Sequence, residues 1–189
     1  SAARRLLDRD VSERAMVFNA LSRNKRSIAL NLKSEEARNV FCRLAERSDV
    51  VLEGFRPGVV KRLGVDYETL SRINPRLVYC SLSGYGQDGP LSDQPGFGAI
   101  AEAAGGLRYI TGDPNLPPTR VGLSLGDSIP SLHALVGALI AVHERQSSGR
   151  GQVVDVSLAD SIFAMLEGIL PALESAHAVA EAIKRAREM

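Results

Sequence analysis

The residues with the clearest chemical potential are Gly126-Asp127-Ser128. A carboxylate sits between small neighbours, and Pro130 and a long apolar, helix-like run follow closely. This places Asp127 where a helix begins, with no bulky neighbour to shield it. Two roles fit. An Asp before a proline-started helix is an ordinary N-cap that accepts from free backbone N–H groups. An ionised, accessible carboxylate at the positive end of a helix is also a competent oxygen nucleophile. The local sequence alone favours the cap, and the two roles are compatible.

Other chemistry-bearing residues are fewer. Gly84, Gly86 and Gly89 either let backbone approach a ligand closely or build a tight turn. Residues 1–33 carry Arg4, Arg5, Arg9, Arg14, Arg23, Lys25, Arg26 and Lys33 against only Asp8, Asp10 and Glu13. That excess reads as a solvated terminus or as a basic rim for a phosphate-bearing ligand. His133, His143 and His177 lack the spacing of a metal pair, so no metal site is expected. Cys42 and Cys80, the only cysteines, form no metal-spaced cluster and read as buried thiols.

The elements that would position these residues alternate. Ser27–Leu32 reads as a short strand. Glu35 and Glu36 open a helix whose apolar face is Ala37, Val40, Phe41, Leu44 and Ala45. Asp49–Leu52 is a compact strand, followed by an Arg-Pro-Gly turn and a short helix over Val59–Leu63. Asp66 caps a further helix that ends at Asn74-Pro75, and Leu77–Leu82 is the next strand. A glycine- and proline-rich loop runs from Gly84 to Gly96. Phe97–Ala104 reads as a helix stopped by Gly105-Gly106, and Asp113–Pro118 as a turn-rich loop. Pro130–Arg145 is an apolar helix with small residues suited to close packing, with Glu144-Arg145 at a solvated end. Gln152–Ser157 is a strand and Leu158–Leu170 a helix. Strands alternating with helices predict an α/β fold, a parallel sheet with covering helices whose binding edge lies at the strand C-termini.

Composition narrows the function classes. The formal net charge is +1, which gives no global argument for nucleic acid. No apolar stretch reads as long enough to span a membrane, and the N-terminus lacks a signal-peptide core. The expected compartment is the cytoplasm, with a mitochondrial location left open.

Several separate motifs resemble one family. They are Asn24-Lys25-Arg26-Ser27-Ile28-Ala29-Leu30, Glu53-Gly54-Phe55-Arg56-Pro57-Gly58, Gly84-Tyr85-Gly86-Gln87-Asp88-Gly89-Pro90 and the Gly126-Asp127-Ser128 segment. Together, from about Ser22 to about Leu170, they resemble the family III CoA-transferases, the group that includes formyl-CoA transferase. The resemblance implies the large, Rossmann-like α/β domain of that family, present in part. The expected division is a basic N-terminal segment over 1–21, the partial domain over 22–172 and a polar helical tail over 173–189. The family has an opening strand and glycine-rich segment before the region that starts here at Ser22, and a second, smaller domain after it.

The resemblance also assigns roles. Asp127 matches the nucleophile that carries the acyl group as a mixed anhydride, which a thiolate or a second carboxylate then opens. Arg62 matches an arginine that binds CoA. Gly54, Phe55 and Arg56 match a segment that contacts the nucleotide, and Leu30, Asn31, Leu32 and Lys33 match another CoA-lining stretch. Arg62 offers phosphate a planar fork and Lys33 a point charge. Gln94, Pro95, Gly96, Phe97 and Gly98 match the loop nearest the thioester. Two departures stand in that loop. Many members carry an acidic residue where this chain has Gly98, which weighs against full activity. The related racemases carry a histidine where it has Phe97, and a phenyl ring cannot abstract a proton.

The expected function is a CoA-transferase that moves CoA between small carboxylic acids. Its substrates are an acyl-CoA and an acid, with no permanently bound cofactor. The implied partner is a second copy, because full-length members are interlocked dimers. The alternatives are a catalytically incompetent fragment or pseudoenzyme that binds nucleotide or a partner chain, and an acyl-CoA racemase, which Phe97 disfavours.

Overall fold

The computed structural model describes residues 18–113, 115–169, 171–172 and 174–177. The chain separates into two compact units, Ser1–Asn31 and Leu32–Met189. In the first unit the described residues include a helical turn at 18–21, where Lys25 Nζ donates to the Leu21 carbonyl at 2.6 Å. Arg4, Arg5, Arg9 and Arg14 of the basic stretch lie outside the described residues, as do residues 178–189 of the tail.

The second unit alternates strands and helices. Its elements are α1 (Glu35–Glu46), β1 (Val50–Glu53), α2 (Val59–Leu63), α3 (Tyr67–Ile73), β2 (Val78–Ser83) and α4 (Gly98–Ala104). They continue with α5 (Leu125–Ser148), β3 (Val153–Ser157), α6 (Leu158–Phe163) and a 3₁₀ turn at Ala164–Leu166. The local signals act as expected at most ends. Ser34 accepts from Ala37 N–H to cap α1, and Asp66 accepts from Thr69 N–H at 3.1 Å to cap α3. Left-handed Gly64 and Gly149 close α2 and α5.

The three strands are parallel in the order β1-β2-β3. Val50 pairs with Val78, and Tyr79 with Val153. Central β2 is buried on both faces, as a parallel strand between helical layers must be. Its alternation divides the core. Tyr79 points to a cluster with Ala45, Leu70 and Leu77, beneath α1 and α3, and meets Tyr67 edge to face. Cys80 points the other way, to Ala134 of α5 and Val156 of β3. The small face of α5 permits this close approach, since a Cβ on Gly137 would lie 2.7 Å from Val154 Cγ1.

Four expectations change. Residues 27–31 are irregular, not a strand, and Ile28 is exposed. A short alternating run becomes a strand only where a neighbour completes its ladder, and among the described residues none pairs with it. Helix α5 starts at Leu125 and runs through Pro130, so the proline sits inside the helix and not at its first position. Arg145 is buried, not solvated. Its guanidinium donates to the carbonyls of Asp49 (3.3 Å) and Arg76 (3.0 Å) and pairs with the Asp49 carboxylate, which ties the end of α5 to the starts of β1 and β2. Finally, α5 is long and apolar enough, by length and composition, to cross a bilayer. Its small-residue face nevertheless packs on the sheet.

Candidate active site

The parallel strands all end at one edge, and each delivers residues to a single cleft of about 290 Å³. Gly54 follows β1, Ser83 ends β2 and leads to Gly84, and Leu158 follows β3. This is the edge where open α/β sheets bind ligands. The turn after β1 is fixed by the Glu53 carboxylate, which accepts from Phe55 N–H at 2.8 Å. That bond presents Phe55, Arg56 and Pro57 to the cleft. Gln94, Gly96 and Phe97 enter from the loop before α4, and Asp127 and Ser131 from α5.

Backbone contacts hold the loop and the helices together. A Cβ on Gly84 would lie 2.5 Å from Gly96 Cα, so the turn after β2 and the loop before α4 touch main chain to main chain. A Cβ on Gly126 would lie 2.0 Å from the Gly98 carbonyl oxygen, so α4 and α5 meet in the same way. No other residue type fits these approaches.

Asp127 is the third residue of α5, and Ser124 is the N-cap residue. Asp127 is therefore not the N-cap. Its backbone is already helical, because α5 begins ahead of Pro130 rather than at it. The residue is exposed, and among the described residues no hydrogen-bond or ion-pair partner holds its carboxylate. The carboxylate thus stands in the first turn of a long helix and lines the cleft beside Gly96 and Phe97.

A scan against family models matches CoA-transferase family III over residues 2–188. The chain belongs to CoA-transferase family III. It is 46% identical over 158 residues to succinyl-CoA–D-citramalate CoA-transferase of Chloroflexus aurantiacus, covering 84% of this chain and 39% of that protein. It is 43% identical to acetyl-CoA:oxalate CoA-transferase of Acetobacter aceti, covering 85% of this chain and 41% of that protein. Among solved structures, a CAIB/BAIF family protein from Brucella suis superposes with a TM-score of 0.77 at 34% identity, covering 80% of this chain and 40% of that one. The chain thus spans about two fifths of the length of the curated relatives it matches.

Within this CoA-transferase family III chain, the expected site residues divide. Gly54, Phe55, Arg56, Gln94, Gly96, Phe97 and Asp127 line the one cleft. Pro95 lies in the same loop, and buried Gly98 lies directly behind the carboxylate. Arg62 is exposed on α2 and does not line the cleft. Nor do Leu32 and Lys33, whose carbonyls accept from Arg38 Nη1 at 3.3 and 3.1 Å. Leu30 and Asn31 belong to the 1–31 unit.

Gly98, whose missing side chain weighs in the sequence against full activity, lies against Asp127. In the structure, a Cβ there would lie 2.4 Å from Asp127 Oδ1 and 2.5 Å from Cγ and Oδ2. The glycine makes the room that the carboxylate occupies. Ser83, Ser131 and Leu158 line the cleft and were missed by sequence reasoning. The signal for Ser83 was its place at the C-terminal end of a strand. Glu102 was missed too, although it is the lone charge in the helix Gly-Ala-Ile-Ala-Glu-Ala-Ala.

Proposed function

We propose that the protein containing this chain is a CoA-transferase that moves CoA between small carboxylic acids through an anhydride on Asp127. An oxygen of the Asp127 carboxylate attacks the thioester carbonyl carbon of an acyl-CoA. The C–S bond breaks, the electron pair leaves on sulfur as CoA thiolate, and the acyl group stays on Asp127 as a mixed anhydride. The acceptor carboxylate attacks the acyl-bearing Asp127 carbonyl carbon, releasing the donor acid as a carboxylate and forming a new mixed anhydride. The CoA thiolate then attacks the acceptor acyl carbon of that anhydride, giving the product acyl-CoA and the free Asp127 carboxylate. The cleft offers an apolar wall in Phe97 to the acyl chain and in Phe55 to the nucleotide. Arg56 and Arg62 are the cations offered to CoA phosphates, and CoA is substrate rather than resident cofactor. We assign the working unit as a homodimer in the cytoplasm.

The observation that carries this reading is the unpartnered Asp127 carboxylate seated against Gly98 in a cleft at the strand ends. It also favours transfer over racemisation, because Phe97 lines that cleft and holds no proton acceptor. The test is intact-mass analysis of the full-length protein mixed with acyl-CoA, with hydroxylamine to trap the anhydride. Adduct at Asp127 in the wild type and none in Asp127→Asn is expected. Turnover by the Asn variant at the wild-type rate would overturn the mechanism.

A further inference from the structure

Helix α4 carries one charge, and that charge is entirely buried. Glu102 has no exposed surface, although its neighbours are alanines and glycines. A carboxylate withdrawn from water this far is costly unless it is paired and hydrogen-bonded. Its partners are specific. Oε1 accepts from the backbone N–H of Gly126 at 3.3 Å. Oε2 lies 3.6 Å from Arg108 Nη2 and 3.5 Å from Arg120 Nε.

Gly126 is the residue before Asp127. Its N–H is one of the first-turn donors of α5 that have no partner within the helix. An N-cap side chain normally satisfies such a donor, but Ser124 makes no capping hydrogen bond. Glu102 supplies that acceptor from a different helix. Residues 98 and 102 are one turn apart on α4 and share a face. That face therefore makes two contacts with α5: Gly98 meets Gly126 and the Asp127 carboxylate, and Glu102 grips the Gly126 amide. The two arginines bring the chain on either side of the 113–118 loop to the same carboxylate and offset its charge.

Resting on the transferase reading, we propose that Glu102 is a positioning residue for Asp127. Its hydrogen bond to the Gly126 N–H fixes the first turn of α5 and so the direction of the attacking carboxylate. Glu102 touches no substrate and takes no part in the bond changes. Its role is to hold the nucleophile where the thioester carbon arrives, and misplacement on the order of 1 Å can cost about 100-fold in rate.

The test uses the full-length protein and three variants. Glu102→Gln keeps the acceptor oxygen at nearly the same place. Glu102→Ala removes it, and Glu102→Asp keeps the charge but withdraws the acceptor by one methylene. Single-turnover formation of the Asp127 adduct, KM for acyl-CoA and exchange of the Gly126 amide hydrogen are measured for each. We expect the Ala and Asp variants to acylate about 10- to 100-fold more slowly with KM nearly unchanged, and to exchange that amide faster. The Gln variant should restore both readouts to within about threefold. If the Ala variant does not fold, the Asp variant decides. Acylation by the Asp variant at the wild-type rate would overturn the proposal. So would a Gln variant no better than Ala, or a Gly126 amide equally protected in all of them. A wild type that forms no adduct would sink the transferase reading instead, and amide exchange would still judge the clamp.

Discussion

Two regions that the sequence assigns to one function are built in opposite ways. Around Asp127 the contacts are main chain on main chain: Gly98 against Gly126, Gly84 against Gly96, and a buried carboxylate gripping a backbone amide. Around Arg62 and Lys33 the cationic side chains are long and exposed, on α2 and on the turn before α1. The first arrangement leaves the main chain no room to shift. In the second, exposed Arg62 can move to meet a ligand, at the cost of ordering a flexible side chain when it binds. An acyl-transfer centre needs the first kind of precision, and a polyphosphate grip works with the second. Changes in the glycine region should therefore act on rate and folding together, and changes on the basic rim on binding alone.

The largest expected effect is at Asp127. Asp127→Asn should abolish the trapped adduct while leaving the melting temperature nearly unchanged. Because the side chain is not the N-cap, Asp127→Ala should cost only the helix-end charge term, about 0.3–1 kcal/mol. A loss of about 2 kcal/mol in denaturant unfolding would show that the carboxylate is a structural cap after all. Next comes Gly98→Ala, which puts a methyl group where the Asp127 carboxylate now lies. Acylation should fall about 10- to 100-fold, with roughly 1–3 kcal/mol of destabilisation from overpacking. A variant that acylates normally would mean that the carboxylate works from another rotamer.

On the exposed side, Arg62→Ala should weaken CoA binding to the full-length protein by about 1.5 kcal/mol. That is the low end for a charge-assisted hydrogen bond, because water screens this site. Unfolding should be unaffected. Equal dissociation constants in calorimetric titrations of the two proteins would remove Arg62 from the CoA grip.

The smallest effect lies in the core beneath both regions. Burial, then the nearby Glu53 and Asp66, pushes the Tyr79 phenol well above its ordinary value of 10.0. Burial, then Glu53 and Asp155, pushes the Cys80 thiol up from 9.0. Both groups are neutral when protonated, so the folded state holds its protons more tightly than the unfolded chain. Their contribution is complete below the unfolded values and is lost as pH rises through about 9–10 toward the folded ones. Stability should therefore be flat up to about pH 9 and decline above it. Tyr79→Phe should flatten the upper part of that decline. It should also lose about 0.5–1.5 kcal/mol at neutral pH, because the phenol donates to the Val65 carbonyl at 3.1 Å. An unchanged slope in urea unfolding between pH 10 and 11 would remove Tyr79 as its source.

The sequence by itself determined the periodic elements and their order. Short apolar strands between helical patterns dictate a parallel sheet, and Asp66, Glu35-Glu36 and the glycines at helix ends act within a few residues of themselves. It also placed Asp127 near a helix start beside the right motifs, since those are local spacings. What it misjudged depends on distant partners. Residues 27–31 alternate like a strand, but a ladder needs a neighbouring strand. Arg145 reads as a solvated helix end because Asp49 and the Arg76 carbonyl are far away in sequence. The start of α5 was set too late because helix rules prefer proline at the first position, whereas in the structure the turn before Pro130 is helical and packs on α4. Only the tertiary structure showed that Gly98 leaves the space the Asp127 carboxylate occupies and that Glu102 is buried against the Gly126 amide. A glycine's value lies in the atom that occupies the space it leaves, and a buried charge's value lies in the groups that surround it. Both are set by the meeting of α4 and α5, which no spacing along the chain records.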